Sequence, residues 1–379
     1  MLTNNSLVKI LPPQTIGIIG GGQLGRMMAI AAKYMGYNVI VLDPTPNCPT
    51  AQVADGQIVA AYDDMEAIKE LADKSDVVTY EFENVDLDAA TFIEEAGKLP
   101  QGAFALEVTQ NREKEKKLMR EIGLPVPNFS IVHNGTECEA ALEKITLPAV
   151  IKTCRGGYDG KGQLKIESEQ DKEAAIQFAD QGGTFIIEEW ITFDKEISTV
   201  FTRSQSGEIM FFPIAENDHK DHILYETIAP ARISDELNRK AKDAASLLAD
   251  KINVVGTFAI EMFVKGEEIF INEMAPRPHN SGHYTIEACS ESQFSQHIRA
   301  ICGLPLPEIR LHQNAMMINV LGEDMPKALR ALRKLPEAHV HLYGKKEAKE
   351  KRKMGHVTFI AHDQDELNTY KRAYEEDIT

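Results

Sequence analysis

A lysine and a glycine-rich loop lie close together between residues 152 and 162. Lys152 ends a short apolar run, and the loop that follows it reads Arg155-Gly156-Gly157-Tyr158-Asp159-Gly160-Lys161-Gly162. Glycines let backbone N–H groups fold over a polyphosphate, while Lys152 and Lys161 can neutralise the charge that grows during phosphoryl transfer. A solvated turn would account for the glycines but not for a lysine at the end of an apolar strand. Because no G-x-x-x-x-G-K-[ST] motif occurs here, the loop predicts phosphate binding of a kind other than a Walker A loop.

Two glutamates in a predicted β-hairpin suggest a metal site. The stretch 256–273 predicts two antiparallel strands around a turn at 265–268, and the strands carry Glu261 and Glu273. The two carboxylates face each other if the turn has three residues or if a bulge corrects the register, whereas a two-residue turn alone would leave one facing solvent. Neighbouring carboxylates repel, and a divalent cation relieves that repulsion. With Asn272 beside them, the oxygen ligands indicate Mg²⁺.

An arginine and two histidines follow the second strand of the hairpin directly. Arg277, held between Pro276 and Pro278, suits bicarbonate, a carboxylate or a phosphate. His279 and His283 fit a catalytic role and a structural loop role equally well. Further along, the basic segment 345–353 is either a solvated face or a phosphate clamp.

A second glycine-rich loop lies near the N-terminus. Residues 20–25 satisfy G-x-G-x-x-G, open a predicted helix, and precede Asp43 at the end of a second predicted strand. This pattern permits an NAD-dependent oxidoreductase. It also permits a phosphate-bearing substrate, because the N-terminus of a helix offers unpaired N–H groups to any phosphate. We favour the phosphate-bearing substrate, since the loop at residue 156 already provides a nucleotide-type module; a tight turn needed only for packing is the third alternative.

Two kinds of element must hold these residues in place. The first hundred residues alternate strands with helices, which indicates a parallel sheet with ligands at the strand C-terminal ends. A stiff linker, Gly123–Pro127, then marks a domain boundary. The predicted elements are strands at Thr15–Gly20, Asn38–Leu42, Asp76–Glu81, Phe185–Trp190 and Val357–Ile360, and helices at Leu24–Tyr34, Asn111–Ile122 and Pro326–Leu335.

Composition narrows the class of protein. The 379 residues suggest two or three domains at about 150 residues each. The 41 Lys and Arg against 58 Asp and Glu give a net charge of −17, so no nucleic-acid partner is expected, because a duplex requires a basic footprint. No run approaches the roughly 18 apolar residues of a membrane span, and no signal-peptide layout is present. The five cysteines contain no C-x-x-C pair, so we expect no disulfide framework and a reducing, cytoplasmic location.

Taken together, these motifs resemble those of the ATP-grasp enzymes, and within that superfamily the N5-carboxyaminoimidazole ribonucleotide synthetase family. The segments that carry the resemblance are Gly20–Arg26, Gly157–Gln163, Glu216-Asn217 with His219, Asn272–His283 and Lys353–His356. The resemblance covers nearly the whole chain. It implies an α/β ATP-grasp fold with an N-terminal Rossmann-like parallel-sheet domain (1–110), an ATP-grasp domain (111–310) with a mobile lid near 150–190, and a small C-terminal α+β domain (311–379).

The resemblance also implies roles for individual residues. ATP would be bound by Arg112, Lys152, Gly157, Tyr158, Asp159, Gly160, Lys161, Gly162, Gln163, Glu188, Glu189, Trp190, Ile191, Glu196, His219, Asn272 and Glu273. The ribonucleotide would be bound by Gly22, Gln23, Leu24, Glu81, Tyr158, Asp159, Lys161, Arg277, His279, Asn280, Ser281, Lys345 and Arg352. The implied catalytic residues are Lys152, Asp159, Lys161 and Arg277, and the implied metal ligands are Glu261 and Glu273.

The implied reaction is that of a ligase in purine biosynthesis. It converts 5-aminoimidazole ribonucleotide, ATP and bicarbonate to N5-carboxyaminoimidazole ribonucleotide, ADP and phosphate through carboxyphosphate, with Mg²⁺, or alternatively Mn²⁺, as the metal. A homodimer and a transient contact with the mutase that follows are further expectations. The alternatives are a formate-dependent glycinamide ribonucleotide transformylase, which usually has a serine-rich lid, and a non-catalytic ligand-binding protein. The chain departs from the family at one position, because Lys351 stands where a glycine usually precedes the arginine matching Arg352.

Overall fold

The computed structural model describes residues 9–156 and 162–376. The predicted contacts of five residues in the glycine-rich loop therefore lie outside the described residues. These five are Gly157, Tyr158, Asp159, Gly160 and Lys161.

The N-terminal part is a parallel sheet flanked by helices. Its four strands lie in the order β3-β2-β1-β4, and the side chains of the central strand β1 are almost entirely buried. Apolar strands between helices bury both faces of a parallel sheet, as the alternating pattern predicts. The elements are β1 (Thr15–Ile19), α1 (Gln23–Tyr34), β2 (Asn38–Leu42), β3 (Gly56–Ile58), α2 (Met65–Lys74), β4 (Val77–Tyr80), α3 (Leu87–Glu95) and α4 (Ala103–Thr109).

A helix and a four-stranded antiparallel sheet follow. The strand order is β5-β8-β6-β7. One face packs on two helices through Ile151 and Ile187, so the alternation of side chains turns Lys152 and Glu188 to the opposite face. The elements are α5 (Arg112–Glu121), β5 (Phe129–Val132), α6 (Gly135–Leu142), β6 (Ala149–Thr153), β7 (Gln163–Ile166), α7 (Lys172–Ala179) and β8 (Phe185–Glu189).

The remaining strands form one large antiparallel sheet. Its order is β14-β13-β9-β11-β12-β15-β17-β16, with β10 paired to β9. The C-terminal strands thus extend the sheet that begins in the middle of the chain, through the β12–β15 pairing. The elements are β9 (Lys195–Arg203), β10 (Ile209–Phe211), β11 (Ala215–Lys220), β12 (Ile223–Ala229), α8 (Asp235–Ile252), β13 (Gly256–Lys265), β14 (Glu268–Ala275), α9 (Thr285–Ala288), α10 (Gln293–Ile301), β15 (Asn314–Leu321), α11 (Met325–Lys334), β16 (His339–Leu342), β17 (Lys353–Ala361) and α12 (Gln364–Glu375).

Two predictions from composition meet the structure directly. All five cysteines are free and buried in the structure. Among the helices of the described ranges, none is both long and apolar enough to cross a membrane.

A buried histidine joins the N-terminal sheet to the large sheet. His297 of α10 is fully buried, its Nδ1 accepts a hydrogen bond from Thr257 N at 3.0 Å, and its Nε2 lies 2.8 Å from Thr79 Oγ1. Thr79 belongs to β4 and Thr257 to β13. Burial lowers the pKa of His297 to about 3, so this contact requires the neutral ring.

We expect acid to weaken this junction. In the unfolded chain His297 becomes protonated below about pH 6.5, whereas in the folded protein its pKa is about 3. The free energy of unfolding therefore falls as the pH is lowered from 6.5 to 3. The slope from this group is at most about 1.4 kcal/mol per pH unit. The stability lost in His297→Gln should therefore be about 1 kcal/mol smaller at pH 5.5 than at pH 7, measured by urea denaturation. The exposed His339→Gln is the matched control; an equal loss at both pH values for His297→Gln would contradict the prediction.

Candidate active site

A buried glutamate lies between two lysines where the four-stranded sheet meets β14. Glu188 Oε2 is 2.7 Å from Lys152 Nζ, and its Oε1 is 3.0 Å from Lys116 Nζ. Glu188 is only 2% exposed. Burial alone would raise the pKa of Glu188, but the two ammonium groups outweigh it and hold that pKa well below its usual range. The trio carries a net positive charge, so it suits an anionic ligand.

Lys116 also contacts the backbone of the hairpin that carries Glu261 and Glu273. Lys116 Nζ donates to Ile271 O at 3.0 Å and to Asn272 O at 2.8 Å. Next to it on α5, the buried Glu115 accepts a hydrogen bond from Met274 N at 2.8 Å. Helix α5 therefore holds β14 through the buried side chains of Lys116 and Glu115.

The register of the hairpin determines whether Glu261 and Glu273 face each other. Lys265 pairs with Glu268, so the turn has two residues, and Gly266 takes a positive φ of 58° there. A bulge at Asn272 then shifts the register, because Met262 pairs with Ile271 while Glu261 pairs with Glu273. Of the two conditions that would bring the carboxylates together, the bulge is the one that the structure fulfils.

The pKa values of the two facing carboxylates shift in opposite directions. Burial, Glu273 and Glu196 raise the pKa of Glu261 to about 8. Burial acts in the same direction on Glu273, but Arg112, whose Nη1 lies 3.4 Å from Glu273 Oε2, and Lys152 lower its pKa. Two paired carboxylates whose pKa values shift in opposite directions fit a divalent ion that prefers oxygen ligands.

A second pair of predicted ATP-binding residues lies beside Glu261. His219 Nδ1 is 3.0 Å from Glu196 Oε2, and the ligand atoms of Glu196, His219 and Glu261 all lie within 4.8 Å of one another. Burial would lower the pKa of His219, but the contact with Glu196 raises it instead. The structure thus brings the predicted ATP-binding and metal-binding residues into one cluster.

The loop after β14 is fixed by ion pairing and by one buried amide. Arg277 is paired with Glu83, and its Nη1 donates to Pro278 O at 3.0 Å. Gln293 accepts from His279 N at 2.8 Å and donates to His279 O at 2.7 Å. His279 Nε2 lies 3.6 Å from Glu261 Oε1, so this loop contacts the Glu261–Glu273 pair.

The two loop histidines have different surroundings. His279 Nδ1 lies 2.8 Å from Ser281 Oγ, and burial followed by Arg277 keeps the pKa of His279 well below its usual value. His283 is fully buried against Gln293, and burial and His341 lower its pKa to about 3. The structural interpretation therefore fits His283, whereas His279 lies at the site.

The N–H groups of the first glycine-rich loop are paired with two carboxylates. Its N–H groups are not free for a phosphate: Gly21 N donates to Asp43 Oδ2 at 2.7 Å, Gly25 N donates to Glu81 Oε2 at 2.7 Å, and Gly22 N also donates to Glu81. Two buried carboxylates occupy the donors that we expected an anion to use. Asp43 also accepts from Tyr62, so it is not poised to bind a ribose either.

The C-terminal basic segment only partly faces the site. Lys345 Nζ donates to Lys353 O at 2.7 Å, and burial followed by Arg352 lowers the pKa of Lys345 to about 8. Lys351 points elsewhere, to Asp221 Oδ2 at 3.0 Å. Its φ of 61° lies in the left-handed region, which explains why a glycine would suit this position.

The C-terminal segment also touches the N-terminal sheet. Gln52 Nε2 donates to Gly344 O at 2.9 Å, and Gln52 Oε1 accepts from Arg26 Nη1 at 3.0 Å. Lys345 is therefore held close to the loop that begins α1.

The base of the glycine-rich loop and the predicted hinge flank the buried trio. Gln163 pairs with Lys152 across β6 and β7, and Thr153 N donates to Gly162 O at 2.9 Å. At the end of β8, Trp190 N donates to Pro148 O at 2.9 Å. Glu189 is tied to Asn128, and Ile191 is half-buried beyond them.

Sequence reasoning missed four residues of this site. They are Lys116, Glu115, Glu83 and Gln293. For two of them a signal existed, because Glu115 and Lys116 lie three and four residues after Arg112 and share its helix face with the buried Met119. Glu83 and Gln293 act from distant segments, and no local pattern marks them.

The fold and the site define an ATP-grasp protein. Three family profiles match successive parts of the chain: the ribonucleotide synthetase preATP-grasp domain over residues 13–110, the ATP-grasp domain over 117–294, and the phosphoribosylaminoimidazole carboxylase C-terminal domain over 315–370. The predicted fold class is confirmed.

Whole-chain similarity is more specific. The N5-carboxyaminoimidazole ribonucleotide synthase of Bacillus subtilis is 50% identical over 358 residues, covering 94% of each chain. A solved N5-carboxyaminoimidazole ribonucleotide synthetase with ADP superposes with a TM-score of 0.94 at 51% identity, covering 97% of this chain and 98% of the other. The Aspergillus clavatus synthase, solved with ADP and 5-aminoimidazole ribonucleotide, gives a TM-score of 0.87 at 32% identity, covering 95% and 97%. This chain belongs to the N5-carboxyaminoimidazole ribonucleotide synthase family.

Removal of the buried negative charge should damage both stability and nucleotide binding. In Glu188→Gln, Lys116 and Lys152 keep their charges without a carboxylate between them, which costs about 3 kcal/mol of stability. We expect a clearly lower melting temperature and at least about tenfold weaker ADP binding by calorimetry. The exposed Glu169→Gln, which removes only a surface pair with Lys172, should match the wild type. Normal ADP affinity in Glu188→Gln would show that the trio does not serve the nucleotide.

Proposed function

We propose that this chain carboxylates 5-aminoimidazole ribonucleotide to N5-carboxyaminoimidazole ribonucleotide, using ATP and bicarbonate, in purine biosynthesis. The observation that carries the proposal is the facing pair Glu261 and Glu273 beside the Lys116–Glu188–Lys152 trio. A carboxylate pair and a cationic pocket in contact are what an ATP-dependent ligase requires at the phosphate that it transfers.

In this proposal the nucleotide lies between the four-stranded sheet and β14. Lys152 binds the phosphates, since Glu188 fixes its position without cancelling the charge of the trio. Arg112 approaches the same phosphates from α5, and the glycine-rich loop covers them. Glu196 and His219, which lie beside Glu261, bind the same nucleotide.

The metal fits the residues present. Glu261 and Glu273, with Asn272 adjacent, would hold Mg²⁺ or alternatively Mn²⁺, and the ion would neutralise charge on the transferred phosphoryl group. Arg112 keeps Glu273 ionised for this purpose, because it lowers the pKa of that carboxyl.

The reaction then proceeds in two steps. Bicarbonate attacks the γ-phosphorus, the bond to the β-phosphate oxygen breaks, and carboxyphosphate and ADP form. Carboxyphosphate gives CO₂ to the 5-amino group of the ribonucleotide and releases phosphate. Lys152 and Lys161 stabilise the transferred charge, while Arg277 and Asp159 orient the reactants; the loop 156–162 excludes water that would hydrolyse the intermediate.

The ribonucleotide lies on the other side of the metal pair in this proposal. His279, Asn280, Ser281 and Arg277 meet its imidazole, and Lys345 and Arg352 meet its phosphate. Gly22, Gln23, Leu24 and Glu81 border the same space through the start of α1. A homodimer and a transient contact with the mutase that takes the product complete the proposal, supported by the family resemblance alone.

Substrate dependence tests the function most simply. ADP release, followed by a coupled assay, should require 5-aminoimidazole ribonucleotide, bicarbonate and Mg²⁺ together. Formate with glycinamide ribonucleotide should give no ADP above the background rate. Activity only with formate would identify the transformylase instead, and tight ATP binding without any turnover would identify a ligand-binding protein.

The facing carboxylates should set the need for metal. Glu261→Gln keeps the shape of the hairpin but removes one anionic ligand, so we expect about tenfold more Mg²⁺ for half-maximal activity. Glu267→Gln, in the exposed turn of the same hairpin, is the matched control. An unchanged Mg²⁺ titration in Glu261→Gln would exclude this glutamate as a ligand.

A further inference from the structure

The ammonium group of Lys116 makes its contacts inside the protein. Its side chain is 1% exposed, so a bound ligand cannot reach it. Its three N–H donors face three oxygen atoms: Ile271 O at 3.0 Å, Asn272 O at 2.8 Å and Glu188 Oε1 at 3.0 Å. A buried lysine that makes two hydrogen bonds and one ion pair is expensive to desolvate and needs these partners. Its role must therefore be found in what these partners do.

Two of the partners are backbone carbonyls at the bulge. A bulge leaves an extra residue outside the regular ladder, and here that residue is Asn272. Strand β14 is the edge of the large sheet, so no further strand can hold the bulge from outside. Lys116 binds the carbonyls of the two peptide groups on either side of the Asn272 Cα. The position of this bulge is what turns Glu273 towards Glu261.

Neighbouring contacts reinforce the same stretch of backbone. Ile271 N donates to Pro125 O at 2.8 Å, and Met274 N donates to Glu115 Oε1 at 2.8 Å. The outer edge of β14 is thus bound to α5 and the linker after it from residue 271 to residue 274. Lys116 provides the only charged donor among these contacts.

The third partner connects the bulge to the phosphate-binding lysine. Glu188 contacts Lys116 with one oxygen and Lys152 with the other. Without Lys116, the full negative charge of Glu188 would act on Lys152 alone. With Lys116 present, the three side chains together keep a net positive charge that an anionic ligand can use.

We propose that Lys116 is a positioning residue that fixes the Asn272 bulge, and through it the Glu261–Glu273 pair, while it shares Glu188 with Lys152. The inference rests on the proposed function in one respect, namely that the pair holds Mg²⁺. It adds a residue that touches neither nucleotide nor metal but sets the geometry for both.

Lys116→Met tests the inference, because methionine fills a similar volume and removes the charge and all three donors. We expect Mn²⁺ binding, followed by electron paramagnetic resonance of the free ion in the presence of ADP, to weaken at least about tenfold. In turnover, the Mg²⁺ concentration for half-maximal rate should rise by a similar factor and kcat should fall, while KM for the ribonucleotide changes little. Lys117→Met, on the exposed side of the same helix, is the matched control.

The Glu188→Gln background separates the two parts of the role. The loss of Mn²⁺ binding caused by Lys116→Met should persist there, because it arises from the backbone carbonyls. If Lys116→Met does not fold, Lys116→Gln, which keeps an amide donor for one carbonyl, should give a smaller loss in the same direction.

A lower melting temperature with unchanged Mn²⁺ affinity and kcat would overturn the inference, since Lys116 would then be structural only. Failure of the proposed function has a different signature. The proposed reaction would be refuted if the wild-type protein binds Mn²⁺ and ADP but forms no ADP from ATP when the ribonucleotide is supplied. The Mn²⁺ affinities of the wild type and Lys116→Met would still show whether Lys116 positions the carboxylate pair.

Discussion

The buried carboxylate of Glu188, shared by Lys116 and Lys152, is the interaction on which the site depends. A carboxylate at this depth is stable only when it is paired, and its partners come from two different segments, α5 and β6. Because Lys116 also binds β14, the trio joins the four-stranded sheet, helix α5 and the edge of the large sheet at one point. These three elements are held together there by charged side chains.

A one-residue bulge in β14 determines how the two glutamates of the hairpin are placed. The two-residue turn at Gly266 would place Glu261 and Glu273 on opposite faces, since side chains alternate along a strand. The bulge at Asn272 reverses that outcome and puts both carboxylates on one face of the hairpin. His279, whose Nε2 lies 3.6 Å from Glu261 Oε1, connects this pair to the segment that carries Arg277.

The sequence predicted the elements better than the contacts between them. Strand β2 and helix α1 follow from apolar spacing and lie within one residue of their predicted ends. The facing of Glu261 and Glu273 could only be predicted conditionally, because it depends on a bulge that no residue type announces. The pairing of the N–H groups of the first glycine-rich loop could not be predicted for a related reason: the carboxylates that accept from them, Asp43 and Glu81, follow two other strands. Lys116 was missed because a charged helix normally suggests a solvated face.

The central claim is that the bulge makes Glu261 and Glu273 one metal site, and a diffraction measurement tests it directly. Crystals grown with ADP and Mn²⁺ should show an anomalous peak between the Glu261 and Glu273 carboxylates. The account would be contradicted by a peak held by Glu196, His219 and Glu261, whose ligand atoms also lie within 4.8 Å of one another, with none beside Glu273.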